Sequence, residues 1–528
     1  MKFLVPKLIL LILFSHMDCS APQEENSGQV VGPNTAILAL GDYQKIVYVS
    51  KSAASDQQND GSKSHPWASI QLALSRINDT SPDKRYAILV AEGVYAGETI
   101  QMKQYVDLFG GFDPSSWQRD IFRFRTVLSG RDSNRVIIAA DSARLDGFVI
   151  SGGQFCGKGA GVLCAGVSPV ITNNVFTMNK SLAPRPWNPK YRHEIGHDGG
   201  AIYCENRAAP MIAHNLFVNN ATEVGRGAAI AFHSHCQGRI QNNVFISNQS
   251  GIADPMRSSD GGAVSIFDWS SPIIEGNIFL NNQALNKNDA GGLFVALWSS
   301  PMIRRNLFVG NECTDDGGAL FVGGQEHRYD RPLDELPGPD QFFVTIAENT
   351  FIGNSNPSRN SGALRFTMEA RGEFRDNFTA HNNGVYFQRC EATISNNIIL
   401  DNFLLVETKT GLHPCTVKDN LIWGDFDVQA KAILSDNQML LNSSQKFPSR
   451  SDDGAHWIAT SSRFDRTMYL TTFYFPNAHL RPNELKHRVI KIGDRWGVIR
   501  DNDTQTVSVW GDFSGQVELI VLPTIQKD

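Results

Sequence analysis

The motif Asn-hydrophobic-Phe-x-x-Asn recurs down the middle of this chain and limits what the chain can fold into. It reads Asn174-Val-Phe176-x-x-Asn179, and returns with Phe217, Phe245, Phe279, Phe308 and Phe351 as anchors. Weaker copies follow at Asn377-Phe378, Asn397-Ile398-Ile399 and Asn420-Leu421-Ile422. Successive anchors lie 21 to 43 residues apart, the range of a repeat architecture. Spacing this variable excludes a stiff helical-pair repeat. It suits a parallel β-helix, which takes insertions as loops on its outside. Coils of such a solenoid stack about 4.8 Å apart, so the Phe side chains would fill the interior and the Asn side chains would hydrogen-bond from coil to coil.

A second repeat runs in register with the first. Gly199-Gly200-Ala201-Ile202, Gly227-Ala228-Ala229-Ile230, Gly261-Gly262-Ala263-Val264, Gly291-Gly292-Leu293-Phe294, Gly317-Gly318-Ala319-Leu320 and Ser361-Gly362-Ala363-Leu364 each precede an anchor or follow one. Gly permits a positive φ, and Ala fits a tight inward corner. Ser168-Pro169, Ser271-Pro272 and Ser300-Pro301, with Ala209-Pro210 as a variant, mark a further corner, where Pro needs no ladder donor.

At these residues the chain resembles the right-handed parallel β-helix of the pectin-lyase-like superfamily. The paired Gly-Gly-Ala-Ile and Phe-x-x-Asn repeats are similar to the passenger repeats of chlamydial polymorphic outer-membrane proteins. Tyr48-Val49-Ser50 and the stretch from Asn59-Asp60-Gly61 to Ala73-Leu74 resemble the opening of secreted bacterial β-helix proteins. That resemblance implies a helix capping the open end of the solenoid, where a bare sheet edge would otherwise template aggregation. The likeness spans residues 46–430.

Composition agrees. Of 528 residues, 41% are hydrophobic and 19% charged, with 45 Gly, a β-solenoid balance rather than a disordered one. A net charge of −6 without a basic stripe argues against nucleic acid as a partner. Met1-Lys2 and the apolar run Phe3 to Phe14 read as a secretory signal, too short to span a bilayer. Two processing routes are open: a cut after Ala21, or lipidation of Cys19. Either places the protein in the cell envelope, at the surface or outside the cell, with no transmembrane segment in the mature chain. Cys156 and Cys164 flank a Gly-rich turn and are the pair expected to form a local disulfide. No Cys-x-x-Cys occurs, so no zinc or redox motif is supported. The histidines around His233 and His235 could assemble a metal site or a general base, but without a third firm ligand no metal is expected.

The expected organisation is a signal peptide at 1–21, a linker at 22–45, and a β-helix at 46–433 entered through a capping helix at Pro66–Arg76. An irregular connection at 434–475 and a small antiparallel β-domain at 476–528 follow. Insertions at 180–197, 250–259, 283–289 and 323–340 lengthen loops, where binding concentrates on rigid scaffolds.

Aligning coils on the anchor Phe puts Arg207, His235, Trp269 and Trp298 in one column, ten residues before Phe217, Phe245, Phe279 and Phe308. Aromatic faces stack on sugar rings and cations pair with uronates, so this column is the expected substrate-binding site, with all four side chains outward and both indoles exposed. The plain alternative is two indoles shielding a corner. His233-Ser234-His235 is expected to set both imidazoles on one strand face near Glu205, with His193, His197 and Asp198 adjacent. The residues before the Gly-Gly corners form a further column: Asp198, Arg226, Asp260, Ala290 and Asp316. It is either a structural charge ladder or, through Arg226, a carboxylate neutraliser for β-elimination. Arg226, His233 and His235 are thus the candidate catalytic residues. Lyases of this fold pair such an Arg with calcium, and no motif in the chain specifies calcium. Asp315-Asp316 resembles the Asp pair of β-helix polygalacturonases, but the accompanying Gly-His-Gly and Arg-Ile-Lys segments are missing. The expected function is polysaccharide binding on one solenoid face, with lyase-like cleavage as its enzymatic extension. The alternative is a non-enzymatic adhesive or spacer protein.

Overall fold

The computed structural model describes residues 40–53, 58–183, 197–254, 259–324, 341–357, 361–407, 413–439 and 455–522. The chain is a right-handed parallel β-helix followed by a small antiparallel β-domain. Among the described residues the coils build four parallel sheets of 14, 13, 6 and 12 strands. One coil shows the order: Val170–Thr172 lies in sheet I, Val175–Thr177 in sheet II, Lys180–Leu182 in the short sheet III and Ile202–Glu205 in sheet IV. Met211–Ala213 then re-enters sheet I directly over Val170–Thr172.

The interior is built from ladders of one residue type. The anchor rings stack with centroids 4.7 Å apart for Phe176–Phe217, 4.9 Å for Phe217–Phe245, 4.8 Å for Phe245–Phe279, 4.6 Å for Phe279–Phe308 and 4.9 Å for Phe308–Phe351. Each of these rings is fully buried. The ladder ends at Phe351, whose register partner on the next coil is Thr379; the neighbouring Phe374 ring, 6.2 Å away, belongs to sheet I. Two Asn columns close the turns on either side of the Phe ladder. Asn277 Nδ2 donates to Asn306 Oδ1 at 2.9 Å and to the Ile240 carbonyl at 2.8 Å, while its backbone N–H also reaches Asn306 Oδ1 at 3.0 Å. Every buried amide valence is thereby used, which favours Asn at these places; in a later coil Asp401 takes the place of Asn, accepting from Asn382 N and Nδ2 at 2.8 Å each.

The N-terminal end is covered as expected, but by a shorter helix. It spans Ile70–Arg76, with Ser69 as N-cap accepting from Leu72 N. The preceding Trp67 is extended and bridges to Val49. Ile70, Ala73 and Leu74 plug the core, and Lys103 Nζ donates to the Leu74 carbonyl at 3.2 Å at the C-terminal end of the helix.

The C-terminal boundary differs from the expected 476. Ala432–Ser435 and Gln438–Met439 are still solenoid strands, and Ala455–Ile458, Ser461–Asp465 and Leu470–Tyr474 already belong to the seven-stranded antiparallel sheet. The described residues of 434–475 are therefore divided between the two bodies. Ala432–Ser435 pairs with Cys415–Lys418 and Ala455–Ile458 pairs across the domain with Glu518–Val521, whereas Ser461–Asp465 and Leu470–Tyr474 form a local hairpin. The antiparallel domain packs on the outward face of sheet II, where Leu216, Ile246, Leu280 and Val309 meet Val489, Val498 and Trp496. Asn281 Nδ2 donates to the Trp496 carbonyl at 3.1 Å. No helix among the described residues is long and apolar enough to cross a membrane. Cys19, Ala21 and the segment 1–21 lie outside the described residues, as does His193.

Candidate functional site

Several coils turn from sheet IV to sheet I through two successive residues in the left-handed region. The pairs are Asn206 (φ 59°) with Arg207 (64°), Ser234 (59°) with His235 (61°), Asp268 (53°) with Trp269 (60°), and Leu297 (53°) with Trp298 (54°). Backbone hydrogen bonds lock them coil to coil: Arg207 N to Ser234 O at 3.0 Å, His235 N to Asp268 O at 2.8 Å, Trp269 N to Leu297 O at 2.9 Å. The four aligned residues therefore stand in one column. A left-handed conformation costs a non-glycine residue about 1–2 kcal/mol, and the second position of these four corners carries Arg, His and Trp rather than Gly or Asn.

The column is graded in exposure. Arg207 and His235 are exposed and Trp269 is half-buried, but Trp298 is only 3% exposed. The His235 and Trp269 rings are 6.1 Å apart and nearly parallel, at 13°. Trp298 lies 5.4 Å beyond Trp269, tilted by 39°, and packs among Phe294, Leu297, Phe321 and Phe342. The expectation of two exposed indoles fails at Trp298, because the outward face of sheet IV is itself apolar there.

The two imidazoles of His233-Ser234-His235 do not share a strand face. The strand ends at Phe232, and the left-handed turn sends His235 outward while His233 stays 5% exposed. Ser234 Oγ lies 2.8 Å from His233 Nδ1 and 3.2 Å from Asp268 Oδ2, so the hydroxyl bridges ring and carboxylate. Burial, then the charges of Arg226 and Lys158, hold the His233 pKa down to about 3. Its imidazole is neutral at ordinary pH.

The charged column is shifted by one residue in one coil. Asp198 Oδ1 accepts from Arg226 N at 2.7 Å, Asp260 Oδ1 from Asp289 N at 3.0 Å, and Asp289 Oδ1 from Asp316 N at 2.9 Å. Asp289, not Ala290, stands in the column; Ala290 (φ 58°) occupies the place that Gly199 (φ 71°) holds in its coil. Alignment on the Gly-Gly pair misplaces this coil, since Leu293 rather than Phe294 faces inward. Arg226 is 3% exposed, with Nε 3.7 Å from Asp260 Oδ2 and its guanidinium 4.4 Å above the Phe267 ring. It is thus tied into the ladder. Burial and the carboxylates of Asp260, Asp316 and Asp315 push the Asp289 carboxyl up. Asp289, Asp315 and Asp316 bring carboxylate oxygens within 4.8 Å of one another and are the group that could hold a cation. Arg365 Nε, 3.7 Å from Asp316 Oδ2, offsets part of that charge.

Sequence reasoning missed the outward row of sheet IV, in which Tyr203, Ala231, Ser265, Phe294, Phe321 and Arg365 are register partners and all buried. Its signal was the unbroken apolar triplets Leu293-Phe294-Val295 and Leu320-Phe321-Val322, which mark a strand buried on both faces. A cleft on another side, between solenoid and C-terminal domain, is lined by Ser355, His381, Lys491, Asp494 and Trp496.

A family model described as the right handed beta helix region matches residues 133–328. No curated protein matches the chain. Among solved structures, the chain is similar to a GH136 lacto-N-biosidase from Eubacterium ramulus at 10% identity, over 75% of this chain and 68% of that one, with a TM-score of 0.37. It is similar to XylC in complex with xylose at 10% identity, over 82% and 90% of the two chains, with a TM-score of 0.40. The tailspike of E. coli bacteriophage HK620, in complex with pentasaccharide, is similar at 10% identity over 90% and 93%, with a TM-score of 0.26.

Proposed function

We propose that the protein binds a polysaccharide outside the cytoplasm, along the corner formed by Arg207, His235 and Trp269. The observation that carries this reading is the pair of near-parallel rings, His235 and Trp269, 6.1 Å apart on a left-handed corner. A corner that glycine would occupy at lower cost holds aromatic and cationic side chains toward solvent, and stored backbone strain of this kind concentrates at functional sites. A flat ring edge beside the exposed Arg207 guanidinium suits the apolar faces and polar rims of linked sugars. Trp298 is the buried support on which Trp269 rests. In this reading Arg226 and His233 hold the scaffold, and cleavage by a lyase-like route is a separate activity to be assayed. The apolar run Phe3 to Phe14 supports export, with either Cys19 lipidated or a cut after Ala21. The repeats support kinship with pectin-lyase-like and chlamydial passenger β-helices.

The test is a polysaccharide array probed with the full chain, with and without calcium, while absorbance reports unsaturated products. Binding that is lost in Trp269→Ala supports the proposal. A chain that binds no saccharide, yet attaches to cells or to protein, would place it with adhesive spacers.

A further inference from the structure

The cysteines expected to pair do not meet. Cys156 is exposed in sheet III, and Cys164 is buried facing the core in sheet IV. Another pair does. Cys390 follows Arg389 at the corner between sheets IV and I, and Cys415 opens the strand Cys415–Lys418 on the next coil. Their Sγ atoms are 3.8 Å apart, and Cys415 Sγ also lies 3.4 Å from the Cys390 carbonyl. Both are buried, at 2% and 1% exposure. The adjoining strands are held in register by Thr393–Thr416, Ile394–Val417 and Ser395–Lys418, so neither thiol can drift away.

We propose that Cys390 and Cys415 are a modification site, cross-linked as a disulfide that staples two neighbouring coils near the C-terminal end of the described solenoid. This rests on the export reading, which supplies an oxidising compartment. An S–S bond is about 2.05 Å long, and rotation of a thiol about its Cα–Cβ bond covers the remaining gap. The location gives the link a purpose. The Phe ladder has already ended at Phe351, whose register partner is Thr379, and the last described solenoid strands leave Ile433, Leu434 and Met439 between 46% and 58% exposed. A stack of coils in which each unit contacts only its neighbours frays from such an end. A bond closing the loop between the two cysteines, 25 residues apart, restricts that fraying.

The oxidant is a low-molecular-weight disulfide. One cysteine thiolate attacks it, forming a mixed disulfide and releasing one small thiolate. The second cysteine thiolate then attacks the protein-bound sulfur, releasing the other. The two cysteine protons end on the two released thiols, so the pair loses two electrons and the reagent gains them.

The test uses the full chain, unfolded with reductant and refolded in oxidised and reduced glutathione, which separates the bond from the question of export. Free thiols are alkylated, and the chain is cut with trypsin after Arg389, Lys409 and Lys418. The expected product is the peptide from Cys390 linked to the peptide containing Cys415, two hydrogens lighter than their sum and separated by reductant. Reductant should lower the melting temperature of the oxidised parent and leave Cys390→Ser and Cys415→Ser unshifted. Alkylation of both cysteines in the oxidised parent, or a link from either to Cys164 or Cys204, overturns the proposal. Finding the bond in refolded protein while the native N-terminus is intact would keep the bond and remove export.

Discussion

At the scale of the residue, the corner carrying His235 and Trp269 shows what a single position can reveal. Both hold φ near 60°, and the half-buried Trp269 ring bridges exposed His235 and buried Trp298. Trp269→Ala should weaken saccharide binding by about 1 kcal/mol, roughly fivefold in Kd. The melting temperature should change little, because part of that ring already faces water. Titration calorimetry with an array-selected oligosaccharide checks this; a collapse of stability with binding unchanged would make the indole packing only. His233 carries a pH prediction. Its pKa is about 3 in the folded chain against 6.5 for the free side chain, so the unfolded chain takes the proton first as pH falls. Its contribution is complete above about pH 6.5 and is lost progressively down to about pH 3. Between pH 7 and 4.5 the parent should therefore lose about 2–3 kcal/mol more than His233→Gln in urea unfolding. Equal losses would show that this imidazole titrates normally.

At the scale of the element, stability comes from ladders in which each member serves two neighbours. Phe279 stacks on Phe245 at 4.8 Å and on Phe308 at 4.6 Å. Phe279→Ala leaves a cavity in a wall that cannot collapse and should cost about 3–5 kcal/mol. Asn282 accepts from Asn248 N at 3.0 Å and Asn248 Nδ2 at 2.9 Å, and donates to Phe245 O at 3.0 Å and Asn311 Oδ1 at 2.9 Å. Asn282→Ala strands these partners in the interior, so a loss of at least about 3 kcal/mol is expected in denaturant unfolding. A cost below 1 kcal/mol would mean that water replaces the amide. The repeat sequence revealed these ladders because side-chain identity and backbone register coincide in them. It misplaced the coil at Asp289, because Gly-Gly fixes a turn only to within one residue when an Ala can adopt the same left-handed conformation.

At the scale of the whole molecule, the C-terminal sheet docks where glycine makes room. Gly310 (φ 61°) and Gly353 (φ 66°) lie under the Trp496 indole, and a Cβ on Gly353 would overlap that ring. Gly353→Ala should loosen the docked domain while leaving the Phe ladder intact. Calorimetry should then split one transition into two, or shift the earlier of two downward; an unchanged trace would show that the interface is elsewhere. The mature N-terminus is a second test at this scale. Mass spectrometry of native protein should show a start after Ala21 or a lipidated Cys19, and an intact Met1 on exported protein would overturn both.

The sequence by itself determined the fold, because a parallel solenoid repeats one environment per coil and the identities of Phe, Asn, Gly and Pro report that environment directly. It also held the docking surface in a form read only afterwards. The residues flanking the anchor are Val149 and Ser151 or Val175 and Thr177 in early coils, but Leu216 and Val218, Ile278 and Leu280, Leu307 and Val309 where the tail covers sheet II. Tertiary structure alone decided three matters. It buried His233 against Phe267 on the outer face of sheet IV and left His235 exposed, because two left-handed residues break strand alternation. It buried Trp298, because neighbouring coils present Phe294 and Phe321 on the same outer face. It brought Cys390 to Cys415, because a corner joins residues of successive coils that no local pattern pairs. Repetition writes the coil into the chain, whereas the faces of the coil are set by what lies above, below and against it.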